Sequence, residues 1–156
     1  MKQHAFDKKT ASEIIAAFDA RAEMLVQILH AFMERFAWIS EDAIRQLATE
    51  LNLSRAEVHG VVSYYHDFRT TPPGKHIVKV CAAEACQAMG SRELSAHAER
   101  SLGVAMRSSS ADVTLEPVYC LGNCALSPAV MVDGKTYGRV STAHFDAIVA
   151  AAKGSE

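Results

Sequence analysis

The sequence predicts a two-part chain of mixed α and β structure: a helical bundle over residues 1–73, followed by a small α/β sandwich over residues 74–156. Three observations predict it. Before position 70, apolar residues recur at three- and four-residue spacings, the helical period. After position 75, short alternating apolar runs take over, with a helical stretch among them. Between the two, TTPPG at 70–74 stops regular structure, because proline removes a backbone donor and glycine relaxes the backbone.

Taken in order, residues 1 to 9 are polar and predicted to be irregular. TASE at 10–13 has the form of a capping box, with Thr10 as the N-cap. The helical pattern then runs through Ile14, Ile15 and Phe18, and on through Leu25, Ile28, Leu29 and Phe32. Ser40 opens another helix, with Glu41 and Asp42 where the helix dipole favours negative charge. LNL at 51–53 is a turn, and SRAE at 54–57 is a second capping box, starting a helix that ends near Tyr65.

In the second part, His76 to Val80 alternates as a strand, and Ser91 to Ser101 reads as a helix stopped by Gly103. VTLEPV at 113–118 is a strand in which Pro117 belongs on an edge or at a bulge. Residues 129–132 and 135–140 form a hairpin about Asp133-Gly134. Ser141 caps a last helix reaching about Ala152. The order strand, helix, strand, strand, strand, helix is that of a small sandwich of thioredoxin-like type.

All four cysteines fall in this second part, as CAAEAC (Cys81, Cys86) and CLGNC (Cys120, Cys124). Both pairs lie at the C-terminal ends of predicted strands, which brings them to one end of the sandwich. Two disulfides or four unrelated buried thiols are the alternatives, but two tight pairs with no fifth thiol form the pattern of a metal site. Thiolates suit zinc, copper(I) and iron–sulfur clusters. Structural zinc sites favour two residues between paired cysteines and often recruit His. Here the intervals are four and three, with no His inside either. That disfavours zinc and favours a 2Fe–2S cluster, in which each iron takes two thiolates.

VCAAEACQAMG and VYCLGNCALSPAVMVDG resemble the thioredoxin-like 2Fe–2S ferredoxin family, and the resemblance extends over nearly the whole chain. Cys81, Cys86, Cys120 and Cys124 fall on that family's four ligand positions. The family includes the small iron–sulfur subunit of the NADH-oxidising module of complex I, a subunit of NAD-reducing hydrogenases, and the gamma subunit of soluble NAD-dependent formate dehydrogenases. YYHDFRTTPPGKH, read with CAAEACQAMG, is most similar to the formate dehydrogenase gamma subunit. The resemblance implies a one-electron carrier that is not catalytic in isolation. It also implies a partner subunit holding FMN and NAD, and, for formate dehydrogenase, a further subunit holding a molybdenum cofactor. The complex I and hydrogenase subunits are the alternative.

A net charge of −2 and a share of 49% hydrophobic residues fit a globular protein and give no reason to expect nucleic acid. MKQHAFDKKT lacks the apolar core of a signal peptide, and no run approaches the roughly 20 apolar residues of a membrane span. Thiolate ligands suit a reducing compartment, so a cytoplasmic location is expected. The stretch 41–65 resembles a helix-turn-helix, but RAEVHGVVSYY lacks the basic stripe of a DNA reader, which leaves a redox-sensing regulator a poor fit. No G-x-G-x-x-G, P-loop, C-x-x-C or H-E-x-x-H occurs.

The remaining candidates are weaker. His59 and His66 are placed to share one helix face but have no third ligand nearby. Tyr64, Tyr65 and Phe68 read as helix-end packing or as a partner-facing patch. Glu84 lies between the first two cysteines, where a carboxylate either lowers the potential of a cluster or points to water. Gly122, between Cys120 and Cys124, permits unusual backbone angles and lets N–H groups approach sulfur. Pro128 closes the second cysteine segment, where thioredoxin-like folds often carry a cis proline.

Overall fold

The computed structural model describes residues 6–154. The chain forms two compact units, Met1–Pro72 and Pro73–Glu156, each with its own core.

Among the described residues, the first unit contains four α-helices: α1 (Lys8–Ala16), α2 (Leu25–Phe36), α3 (Glu41–Glu50) and α4 (Arg55–Tyr64). Helix α1 begins earlier than its sequence pattern predicts. The Asp7 carboxylate accepts the Thr10 backbone N–H at 2.8 Å and so takes the N-cap role. That N–H holds the Asp7 carboxyl below the usual carboxylate range. Thr10 is therefore an interior residue of the first turn, and the predicted box at 10–13 does not form. Of the stretch predicted to be irregular, residues 1–5 lie outside the described residues, and Lys8 and Lys9 are helical. Asp19 and Ala20, at φ 57° and 50°, turn the chain between α1 and the 3-10 turn Ala22–Met24 that leads into α2.

The second capping box forms as predicted. The Ser54 hydroxyl accepts the Glu57 N–H at 3.2 Å, and the Glu57 carboxylate accepts the Ser54 N–H at 2.8 Å. Packing holds the unit together. Ile15, Ile28, Leu29, Phe32, Phe36, Leu47, Val58 and Val62 are buried in one cluster. At about 1.5–3 kcal/mol for each large apolar side chain, the core outweighs any cap, worth about 1 kcal/mol.

The second unit contains, among the described residues, five strands and three helices: β1 (His76–Cys81), α5 (Glu84–Ala88), α6 (Ser91–Leu102), β2 (Ser108–Ser109), β3 (Val113–Val118), β4 (Val130–Val132), β5 (Lys135–Tyr137) and α7 (Thr142–Lys153). The sheet order is β2-β3-β1-β4-β5, with β1 and β3 parallel and the other pairs antiparallel. In register, Val78 stands between Leu115 and Val132, and Val80 between Pro117 and Val130. Val78, Val80, Leu115, Val130 and Val132 face a core completed by Leu94 and Ala98 of α6 and by Phe145, Ile148 and Val149 of α7.

Pro117 sits in β3 without breaking the ladder. His76 and Ala82 donate to the carbonyls of Asp112 and Val118, whereas the Leu115 carbonyl faces the β2 side, where it accepts from Arg107. By alternation the Pro117 nitrogen also faces the β2 side, beyond the last β2 pair, Ser108↔Leu115. Locally, that side is an open edge. The hairpin turn places Asp133 at φ 49° and Gly134 at φ 84°, the two positive values of a type I′ turn. Strand β5 stops at Tyr137, short of the predicted Val140, because Arg139 turns the chain at φ 50°. Ser141 caps α7 by accepting the His144 N–H at 3.2 Å.

Two elements were not predicted. Strand β2 is a two-residue edge held by Thr114 and Leu115, too short to leave a period in the sequence. Helix α5 occupies the segment between Cys81 and Gly90, so Cys86 is carried on a short helix and not in a loop.

Candidate metal centre

Two elements deliver each cysteine pair. Strand β1 ends on Cys81, and α5 returns the chain so that Cys86 lies beside it; the two residues are 1% and 2% exposed. Two hydrogen bonds lock this return: the Ser91 hydroxyl donates to the Cys81 carbonyl, and the Gln87 side chain donates to the Ala82 carbonyl. Past the end of β3, Cys120 adopts φ 100°, rare for a residue with a side chain and worth of order 1–3 kcal/mol of strain. A 3-10 turn, Cys124–Leu126, then carries Cys124. Both of these cysteines are exposed.

The Cys120 and Cys124 sulfurs lie 3.7 Å apart. Two thiolates on one tetrahedral metal ion, with bonds of about 2.3 Å, would stand about 3.8 Å apart, so this pair is already spaced for a shared ion. Backbone donors surround the sulfurs. The Gly122 N–H points at Cys120 Sγ over 3.3 Å, with Gly122 at φ +70°. Burial pushes the Cys81 thiol up, but hydrogen bonds from the Ala83 N–H, the Cys86 thiol, and the N–H groups of Cys120 and Leu121 hold it below the usual thiol value. The Cys124 thiol is pushed up, first by hydrogen bonding with Cys120 and by its charge, then by burial and the charges of Cys86 and Cys81. Contacts of Cys81 with Cys86 and Cys120, and of Cys124 with Cys120, Cys86 and Cys81, show that the structure brings all four cysteines to one place.

Among the described residues, no three His, Cys, Asp or Glu side chains close on one ion. The donor set is two pairs of thiols with N–H groups aimed at sulfur, which fits a cluster that asks for two thiolates on each of two irons. A small apolar floor lies beneath, where Ala129, Ala83, Val118 and Leu121 pack against Cys81 and Cys86. Beside it lies a cleft of about 650 Å³ whose lining includes Met89, Gly90, Pro128 and Arg139.

Other residues singled out by sequence fall as follows. The Ser127-Pro128 peptide is cis. Glu84 is exposed in the first turn of α5. His59 is exposed on α4, whereas His66 lies beyond the end of that helix, so the two do not share a helix face. Phe68 is buried against Tyr65 and His30, while Tyr64 is 75% exposed. Helix α4 presents one arginine, Arg55, which pairs with Glu41.

Two polar residues at the site went unrecognised in the sequence. Ser91 is buried under Cys81, and Ser127, 9% exposed, touches both cysteine pairs. The only sequence signal for Ser127 was its place before Pro128; Ser91 had none, since a serine opening a helix is ordinary. No helix among the described residues is long and apolar enough to cross a membrane.

Comparison with known proteins gives the family. The thioredoxin-like 2Fe-2S ferredoxin family matches residues 11–153. One subunit of the NADH-quinone oxidoreductase of Pseudomonas aeruginosa is 32% identical over 117 residues, covering 74% of this chain and 70% of that protein. The NADP-reducing hydrogenase subunit HndA of Solidesulfovibrio fructosivorans is 29% identical over 140 residues, covering 88% and 82%. An NAD+-reducing NiFe hydrogenase in its air-oxidized state shares the fold, with a TM-score of 0.70 at 22% identity. The match covers 86% of this chain and only 23% of that one. These relatives correspond to the complex I and hydrogenase alternatives and not to formate dehydrogenase. With its four thiols gathered at one end of a β1-α-β3 crossover, the chain belongs to the thioredoxin-like 2Fe-2S ferredoxin family.

Proposed function

We propose that Cys81, Cys86, Cys120 and Cys124 hold one 2Fe–2S cluster, and that the chain serves as a one-electron carrier subunit of an NAD-linked oxidoreductase. The observation that carries this reading is the convergence of a buried and an exposed thiol pair, with backbone N–H groups directed at sulfur. When bound, such a cluster takes up and returns one electron at a time. The chain's own residues supply the rest. N–H groups of Gly122, Ala83 and Leu121 offset negative charge on the thiolates, and Gly122 acts at Cys120 from outside the ligand set. Burial of Cys81 and Cys86 keeps water from one side, while Cys120 and Cys124 stay open to a partner.

A hydride carries two electrons and this cluster takes one, so a flavin on a partner subunit is needed to divide the pair. The names of the relatives, an NADH-quinone oxidoreductase subunit and a hydrogenase subunit, support an NAD(P)-linked assembly of those kinds. Formate dehydrogenase is the second reading. It rests on YYHDFRTTPPGKH (64–76), of which Tyr64, Tyr65, His66 and Asp67 are exposed. In that case a molybdenum-containing subunit would oxidise formate and pass electrons on.

The test is to purify the chain with its natural partners. Two irons and two acid-labile sulfides per chain are expected, with reduction by NADH only when the flavin subunit is present. One zinc per chain and no sulfide would sink the cluster reading. Molybdenum in the assembly together with formate-dependent NAD reduction selects formate dehydrogenase; nickel or quinone-linked turnover selects the alternatives.

A further inference from the structure

The hydroxyl of Ser127 joins the two halves of the thiol site. Its Oγ donates to the Cys124 carbonyl at 2.7 Å and lies 3.5 Å from Cys86 Sγ, within hydrogen-bonding reach of the sulfur. Ser127 is 9% exposed, and its contact with Cys86 is buried. A cysteine that binds metal does so as the thiolate. Cys86 then has no proton to give, and two acceptors, sulfur and hydroxyl oxygen, would face each other. The one hydroxyl proton resolves this by turning from the carbonyl to the sulfur. Hydrogen bonds to an ionised acceptor are roughly twice as strong as neutral ones, and the Cys124 carbonyl keeps a donor, since the Ser127 N–H reaches it at 3.3 Å.

We infer that, in the cluster-bound chain, Ser127 is a positioning residue that donates its hydroxyl proton to the Cys86 thiolate and raises the cluster's reduction potential. The sign follows from charge. The reduced cluster is one charge more negative, so a donor on its sulfur favours the reduced state more than the oxidised one. The inference rests on the reading that Cys86 is a cluster ligand.

The test compares the full chain, loaded with its cluster, in wild-type, Ser127→Ala, Ser127→Thr and Ser127→Val forms, by potentiometric titration with iron and sulfide analysis. In Ser127→Ala, the reduced-to-oxidised ratio at fixed potential should fall about threefold to tenfold, the worth of about one hydrogen bond. Tenfold corresponds to 59 mV for a one-electron couple. Ser127→Thr should keep the wild-type potential, and Ser127→Val, of the same shape as Thr without the hydroxyl, should follow Ser127→Ala. An unmoved potential in a fully loaded Ser127→Ala overturns the inference. Failure of Ser127→Ala to load also overturns it, because the hydroxyl would then serve assembly and not potential. A wild-type chain that holds no two-iron cluster sinks the reading of the site instead.

Discussion

The backbone N–H of Gly122 lies 3.3 Å from the sulfur of Cys120, and it is held there by a backbone at φ +70°. A methyl group on Gly122 would meet nothing within 4 Å, so the demand on this position is conformational and not steric. A left-handed backbone costs a residue with a side chain about 1–2 kcal/mol. Gly122→Ala should therefore lose about 1 kcal/mol in denaturant unfolding and release iron faster. Gly122→Asn should lose less, since Asn tolerates this region. Equal iron-release rates in wild type and Gly122→Ala would show that the N–H contact is not needed.

Gly138 makes the opposite demand. A Cβ there would stand 2.6 Å from the Leu126 side chain, 2.8 Å from the Asn123 amide and 2.9 Å from the Leu126 carbonyl. Strand β5 thus runs on directly against the turn that carries Cys124. Gly138→Ala should cost about 1–3 kcal/mol, as overpacking does, and should lower cluster loading more than Gly122→Ala. Calorimetric unfolding with iron analysis checks both, and a neutral Gly138→Ala would show that the turn yields freely.

Gly60, in the interior of α4, has open space around it and no positive φ. Gly60→Ala should stabilise the first unit by about 0.5–1 kcal/mol, because glycine loses more backbone freedom on folding. Urea unfolding followed by helical circular dichroism measures it; a destabilised variant would mean that this face is covered in solution.

Each of the four Cys→Ser changes should perturb or abolish the cluster, since the harder oxygen is a poorer ligand for it. The check is visible absorption with iron and sulfide content. A variant at any of the four positions with wild-type spectrum and iron content would remove that residue from the ligand set.

Helix α6 is tied to α7 through Asp146, which accepts from Ser101 Oγ at 2.8 Å and lies 2.9 Å from His97 Nε2. His97 and then Ser101 hold the Asp146 carboxyl below its ordinary value. A carboxyl depressed in the folded state contributes stability above its unfolded pKa, about 3.9, and loses it as pH falls through the lower folded value. The stability gap between wild type and Asp146→Asn should close as pH falls below about 4. For so exposed a pair the gap should be small, within about 1 kcal/mol. Thermal unfolding across pH 2–5 reads it, and a gap that persists undiminished at pH 2 would contradict the assignment.

Much of the molecule was legible in the residues. The period of two at His76–Val80 and of three to four at Leu25–Phe32 gave strand and helix, because burial on one face imposes the spacing directly. Ser54 with Glu57, Asp133 with Gly134, and Gly103 marked their turns and caps, because a few local bonds decide such features. The two cysteine pairs pointed to soft-metal chemistry through residue type and spacing. What local pattern could not give was competition between neighbours, as where the Asp7 carboxylate displaced Thr10 from the cap of α1. Nor could it give five-residue α5, too short to show a period yet the element that seats Cys86. The φ of 100° at Cys120 and the contact of Ser127 with Cys86, 41 positions away, exist only because β3 and β4 flank β1 and bring distant segments to one end of the sheet. Sequence determined which atoms could bind a metal; the tertiary fold decided how close they stand, which pair is open to solvent, and which hydroxyl and N–H groups face their sulfurs, because those are set by long-range packing that no local spacing encodes.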